Sequence, residues 1–323
     1  MSVAGDTKTG LTESDSKKEK SDPKTRLRKF FARPPIAGIP ALDARSQMLR
    51  VSLVVVIILL SGFLLSISIV GAMQQRAAQQ NAFDAFRAEL AQGVAPTGPI
   101  NQDNRVIRAG TPMAYLEIPS IGVRQVVFEG TSSSVMMNGP GHRMDTVFPG
   151  QAGTSIIMGR RAAFGGPFSR LVNIKVGDPI YIATGQGEFE YSVIAVRSEG
   201  DPVPPKIESG KSRIQLVTVG GRPYLPDGIF RVDAELNQNA SASSGTVFTA
   251  KTLPASDRFM GVDFSNLWQL VLWLEALAIV IALMLWGWNR WGRLKTWIVI
   301  VPVLVLVGLA VSNQFARFLP NLL

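Results

Sequence analysis

A chain of 323 residues with 46% hydrophobic content and a mean hydropathy of +0.20 joins apolar stretches to soluble material, and it is long enough for one or two domains with cores of their own. The formal charge of +9 is unevenly placed, since 11 Lys and Arg precede Val51; nucleic-acid binding needs such charge gathered on a folded face, so no nucleic acid is expected as a partner. There is no cysteine, which excludes disulfides and any thiolate nucleophile.

Residues 1–48 are polar, then rich in Pro and Arg, with Lys24-Thr25-Arg26-Leu27-Arg28-Lys29 and Arg33-Pro34-Pro35. Such a segment buries too little apolar surface to order itself and reads as a disordered basic leader. Its cations suit anionic lipid, at about 1 kcal/mol each near the membrane surface; a tail that docks a partner is the alternative. Residues 49–73 carry an almost uncharged run from Val51 to Val70. About 20 apolar residues span a bilayer, so this is expected to be a first transmembrane helix. It begins too far into the chain for a secretory signal and no clean cleavage site follows, so it reads as an uncleaved anchor.

Residues 74–112 open with Ala, Gln, Glu and Arg and place Ala82, Phe83, Phe86 and Leu90 at helical spacing, which predicts a helix with one apolar stripe. Gly93 to Pro99 ends it. The expectation is a helical stalk and linker lifting the next domain off the membrane, with the stripe serving packing rather than a ligand. Residues 113–236 then alternate apolar and polar positions in short runs punctuated by Gly and Pro. Ala114–Ile118, Val126–Phe128, Ser155–Met158, Pro179–Ala183, Phe189–Val196, Arg213–Thr218 and Gly228–Ala234 read as strands, and seven or eight short strands favour a closed barrel or a sandwich.

Residues 237–266, rich in Asn, Ala, Ser and Gly, form a linker. A second apolar span, 267–288, and a third, 297–315, flank the loop 289–296 with Arg290, Arg293 and Lys295; the tail is 316–323. Pro302 in the third span is tolerable where neighbouring helices satisfy the freed carbonyl. Positive charge marks the cytoplasmic side, so the leader and the 289–296 loop belong inside, and the strand-rich domain and the tail outside, in a multi-pass plasma-membrane protein. Glu275 lies within the second span, where a carboxylate is costly unless paired. That points to a membrane-helix contact, with Gln269, the Ser312–Asn313 region or another protein's helix; a protonated group or one reaching the interface is the alternative.

Within the strand-rich domain one series of motifs stands out: Leu116-Glu117-Ile118-Pro119-Ser120-Ile121-Gly122-Val123, Gly139-Pro140-Gly141-His142, Phe148-Pro149-Gly150-Gln151-Ala152-Gly153, Ile156-Ile157-Met158-Gly159-Arg160-Arg161, Gly177-Asp178, Leu216-Val217-Thr218-Val219 and Arg231-Val232-Asp233-Ala234. In order and spacing this resembles the sortases, the cell-surface cysteine transpeptidases of Gram-positive bacteria. The anchor and C-terminal helices look like those of actinobacterial sortase-like proteins. The resemblance implies an all-β barrel of about eight strands outside the membrane, joined here to three transmembrane helices. It also implies a site of cysteine, histidine and arginine, in which the cysteine attacks a threonine carbonyl of a sorting signal and an amine of the cell wall resolves the acyl-enzyme.

Carried over position by position, Val219 stands where that cysteine would be, Arg160 where the histidine would be, and Arg231 keeps the arginine. An isopropyl group is no nucleophile, and a guanidinium stays protonated near neutral pH. Thr218 is a hydroxyl next door, but side chains alternate across a strand, so it faces the other way. His142, the only histidine, reads as a turn or core residue. Carboxylates are too scattered for a metal site and no phosphate-cradling loop is visible, so no cofactor and no metal are expected. What remains is a cationic former site: Arg160, Arg161, Arg222 and Arg231 are candidates to line a groove for an acidic peptide or wall polymer, unless Arg160 pairs with a nearby acid and plugs the cleft. The expectation is a catalytically silent sortase-like scaffold or accessory subunit of a cell-envelope membrane complex, with other membrane or envelope proteins as partners. The alternative is a transpeptidase or hydrolase using non-cysteine chemistry around Thr218 or His142.

Overall fold

The alternating runs pair into a single closed sheet. In the computed structural model, which describes residues 44–101, 104–265 and 267–323, eight strands follow in chain order. They are β1 (Pro112–Ile118), β2 (Val123–Glu129), β3 (Gly141–His142), β4 (Gly153–Met158), β5 (Pro179–Thr184), β6 (Gly187–Arg197), β7 (Ser212–Val219) and β8 (Ile229–Leu236). They close in the order β1-β2-β3-β4-β7-β8-β6-β5. The eight-stranded barrel expected from the sequence is present, with β3 as a short addition. Most of the basic leader, and with it the lipid contact expected there, lies outside the described residues. The chain divides into Met1–Val56 and Ile57–Leu323; the barrel and every contact below belong to the second unit.

Period-two alternation sends Leu116, Ile157, Ile182, Tyr191, Ile214, Leu216, Val232 and Ala234 into one interior core. β4 and β7 pair in parallel, Ile157 opposite Leu216 and Met158 opposite Val217. β7 is buried along its whole length apart from a half-buried Gln215. A half-solvated strand would show one exposed face, so the outer face of β7 is covered by something other than the sheet.

Outside the barrel, helix α1 (Ala44–Leu65) gives way to a π-helical turn at Ser66–Val70, and Gly71 then starts α2 (Gly71–Gln92). α2 lies against the barrel rather than standing clear of it as a stalk. Ala82 joins the cluster of Val126, Phe128 and Val135, and Phe86 is buried nearby. The Gln79 side chain accepts from the Val126 amide at 2.7 Å and donates to the Val126 and Asn138 carbonyls. Glutamines at helical spacing with the apolar stripe thus supply the hydrogen bonds that hold the helix to β2. Helices α3 (Leu267–Trp291) and α4 (Arg293–Ala316) form a hairpin joined by Gly292, whose φ of +84° suits a residue without a Cβ. Among the described residues, Leu267–Gly287 and Leu294–Ala316 are long and apolar enough to cross a membrane. The expected first span, 49–73, is not among them; it takes in most of α1 and the π turn that follows.

Candidate functional site

The site suggested by the sequence is the outer face of β4 and β7 at their C-terminal ends. Alternation turns Leu216 into the core and Val217 and Val219 outward, where they pack with Met136, Met158 and Leu322. Thr218 faces the other way, as expected, and its hydroxyl donates to the Gly159 carbonyl at 2.8 Å. Gly159 is fixed by close approach: a Cβ there would fall 2.4 Å from the Phe168 ring. Its amide donates to the Val217 carbonyl at 2.9 Å, so β4 and β7 stay joined up to the point where the next residue, Arg160, leaves the sheet.

Arg160 is fully buried. Its guanidinium donates to the Ser133 carbonyl at 3.1 Å, the Ser133 hydroxyl at 2.6 Å and the Leu323 carbonyl at 3.2 Å, with a longer contact to the Pro320 carbonyl at 3.5 Å. It also stacks over the Phe164 ring at 5.2 Å. No described side-chain carboxylate pairs with it, and burial holds its pKa down at about 10. Backbone oxygens surround the cation instead, two of them from segment 317–323. That segment crosses the site. Leu322 is fully buried over Val217 and Val219, its carbonyl accepts from the Arg161 amide at 3.2 Å, and the Asn321 side chain donates to the Thr131, Ser256 and Arg258 carbonyls.

The linker adds a second cover. Phe259 and Met260 pack on the same apolar cluster. The guanidiniums of Arg143 and Arg231 lie 4.8 and 5.7 Å from the Phe259 ring centre. Arg231, opposite Val217 across β7 and β8, has its pKa lowered by burial first and by neighbouring Arg197 second. Arg161 donates to the Val219 carbonyl at 2.8 Å and lines a separate cavity of about 270 Å³ with Glu199, Asp227 and Phe230. Arg222 is exposed in the β7–β8 loop. Of the four candidate arginines, Arg160 and Arg231 therefore flank the covered cluster, Arg161 straddles its edge, and Arg222 stands apart. Glu275 is exposed on α3 and makes no ion pair with a described residue.

His142 has a partner that sequence spacing does not show. The parallel pairing of β2 with β3 sets Glu129 beside His142, and the carboxylate meets Nδ1 at 2.8 Å with both groups buried. Nε2 faces the Val147 carbonyl at 3.0 Å, an atom that only accepts. The Thr146 hydroxyl, 3.1 Å from Nε2, gives its own proton to the Arg143 carbonyl. The ring is thus fully engaged, with no nitrogen turned toward the Val219 face. Among the described residues no group of three His, Asp or Glu is placed to hold a metal ion.

Set against known proteins, residues 116–224 match the model of the Sortase domain. Over those residues, β1 to β7 of the barrel, the chain is similar to a sortase domain. Sortase D of Bacillus subtilis (strain 168) is 28% identical over 88 residues, which is 27% of this chain and 43% of that protein, so the chain spans less than half of the curated relative it matches. Among solved structures, a Clostridium perfringens sortase D5 transpeptidase is 22% identical with a TM-score of 0.42, covering 50% of this chain and 99% of that one. Sortase E from Streptomyces avermitilis is 24% identical with a TM-score of 0.35, covering 47% and 100%.

Proposed function

We propose that this sortase-like chain is a membrane-anchored binding protein of the cell envelope. In this reading it acts as a scaffold or accessory subunit, and its barrel holds a partner without exchanging bonds. One observation carries the reading: at the positions matched to nucleophile and base, the Val219 side chain sits in an apolar cluster and the Arg160 guanidinium donates to backbone oxygens and a hydroxyl. A nucleophilic mechanism needs a hydroxyl or thiol within reach of a base. Thr218 faces inward against Gly159, and the His142 ring is saturated by Glu129 and Val147.

Three spans, with the leader and the 289–296 loop on the cytoplasmic side and the barrel outside, give the orientation. The basic leader meets anionic lipid, and Glu275, exposed on an apolar helix, meets a polar group of a partner helix. Arg160 and Arg231 supply the chemistry for an acidic peptide or wall polymer once the covering segments move.

The decisive test incubates the full chain in mild detergent with a sorting-signal peptide and an amine. No cleavage or ligation is expected; turnover that disappears in Thr218→Ala or His142→Ala establishes the transpeptidase reading and ends the scaffold one. Purification from native membranes should bring down a stoichiometric partner that Glu275→Leu releases. A lone monomer indifferent to that change refutes the complex.

A further inference from the structure

Segment 317–323 follows α4 without a linker: the helix ends at Ala316, and the Ser133 hydroxyl already donates to the Leu319 carbonyl at 3.1 Å. From there the backbone runs across the groove between the Ser133 turn and the end of β4. Three kinds of contact hold it. Leu322 fills the apolar floor formed by Met136, Met158, Val217 and Val219. Asn321, fully buried, donates to carbonyls from two separate segments, at Thr131 and at Ser256 and Arg258. Arg160 donates to the Leu323 carbonyl, and at longer range to that of Pro320.

Removing the segment changes the groove in a defined way. Val217 and Val219 lose the cover that Leu322 gives and keep only Phe259 and Met260 of the linker beside them, and the Arg160 guanidinium loses its contact to Leu323 while keeping Ser133. Its Nε has no hydrogen-bond partner even with the segment in place. A buried cation missing part of its acceptor set attracts an anion, and a planar guanidinium suits a carboxylate above all. We propose that segment 317–323 is a built-in occupant of the barrel groove. It competes with an acidic ligand for Arg160, so that the position of the α3–α4 hairpin sets whether the groove is open. The competition rests on the binding role proposed above; the seating of the segment does not.

The test exploits the absence of native cysteine. In a Val219→Cys variant of the full chain in detergent, alkylation by a maleimide is expected to be slow, and deletion of 317–323 should speed it at least tenfold. Val203→Cys, at a position 79% exposed, should react quickly in both backgrounds. Equal rates at Val219→Cys with and without the segment overturn the proposal. Because the deletion removes buried side chains, hydrogen exchange on the unaltered chain supplies a second measure. The Arg161 amide, bonded to Leu322, should be protected yet open more often than the Gly159 amide, bonded to Val217. An Arg161 amide that exchanges freely, or only together with Gly159, refutes a segment that comes and goes. A pentaglutamate peptide then separates the two ideas: faster alkylation without Arg160-dependent peptide binding supports the built-in occupant and refutes the acidic ligand.

Discussion

Replacing Arg160 by methionine tests whether the buried guanidinium braces the groove or merely burdens it. Two opposing quantities decide the sign. Burial lowers its pKa to about 10, and at about 1.4 kcal/mol per pH unit this corresponds to a desolvation cost of about 3 kcal/mol, which the substitution relieves. Against that stand the bonds to the Ser133 carbonyl, the Ser133 hydroxyl and the Leu323 carbonyl. Each charge-assisted bond contributes roughly 1.5–3 kcal/mol, and their loss leaves buried carbonyls unsatisfied. The bonds win, so Arg160→Met should destabilise the barrel by about 3 kcal/mol, or roughly 10 °C in Tm.

The residue inventory supplies a clean readout. All four tyrosines lie between Tyr115 and Tyr224 and all six tryptophans between Trp268 and Trp297, so near-ultraviolet tyrosine dichroism follows the barrel alone. The sign with pH is also fixed. The folded state holds this proton less tightly than the unfolded chain. Well below pH 10 both states are charged and the desolvation cost is present in full. Above pH 10 the folded state releases its proton first, so the Arg160 contribution to stability rises with pH. A methionine variant as stable as the parent, or more so, refutes the bracing role.

Other outcomes follow from the same geometry. His142→Ala leaves the Glu129 carboxylate buried without its partner and should cost about 3–5 kcal/mol by urea denaturation; Glu129→Gln, which keeps a hydrogen-bonding group, should cost clearly less. Equal losses would mean that the pair acts only through its volume. Gly159→Ala drives a methyl into the Phe168 ring and should give little folded protein, and adding Phe168→Leu should recover part of it. Phe259→Ala removes the aromatic face between Arg143 and Arg231, where each cation contributes about 0.5–1 kcal/mol; proteolysis within 250–265 should quicken while cleavage inside β6–β8 does not.

The barrel was legible because period-two alternation is local: Leu216, Thr218 and their neighbours announce their faces within one strand. The facing of Val219 away from the core followed from the same rule. What covers that face was not legible. Leu322 lies more than a hundred residues from Val219, and nothing in Leu319-Pro320-Asn321-Leu322 separates a segment seated in a groove from a frayed end. Glu129 and His142, 13 residues apart, meet only because β2 and β3 run parallel, and a two-residue strand leaves no periodic trace. Gln75 and Gln79 read as the polar side of a free helix, yet they bond to β2, since glutamine bridges to backbone as readily as to water. The resemblance set Arg160 and Arg231 at matched site positions, but only burial and contacts show that Arg160 is sealed, Arg161 reaches the Val219 carbonyl and Arg222 stands apart.

Closure of the sheet restricts how any partner can attach. With β5 returning to pair with β1, no strand offers a free row of amides and carbonyls, so an incoming chain has no template on which to extend the sheet. Recognition must run through side chains and loops, where shape and charge select the visitor. The same seamlessness guards the domain against fusing edge to edge with its copies.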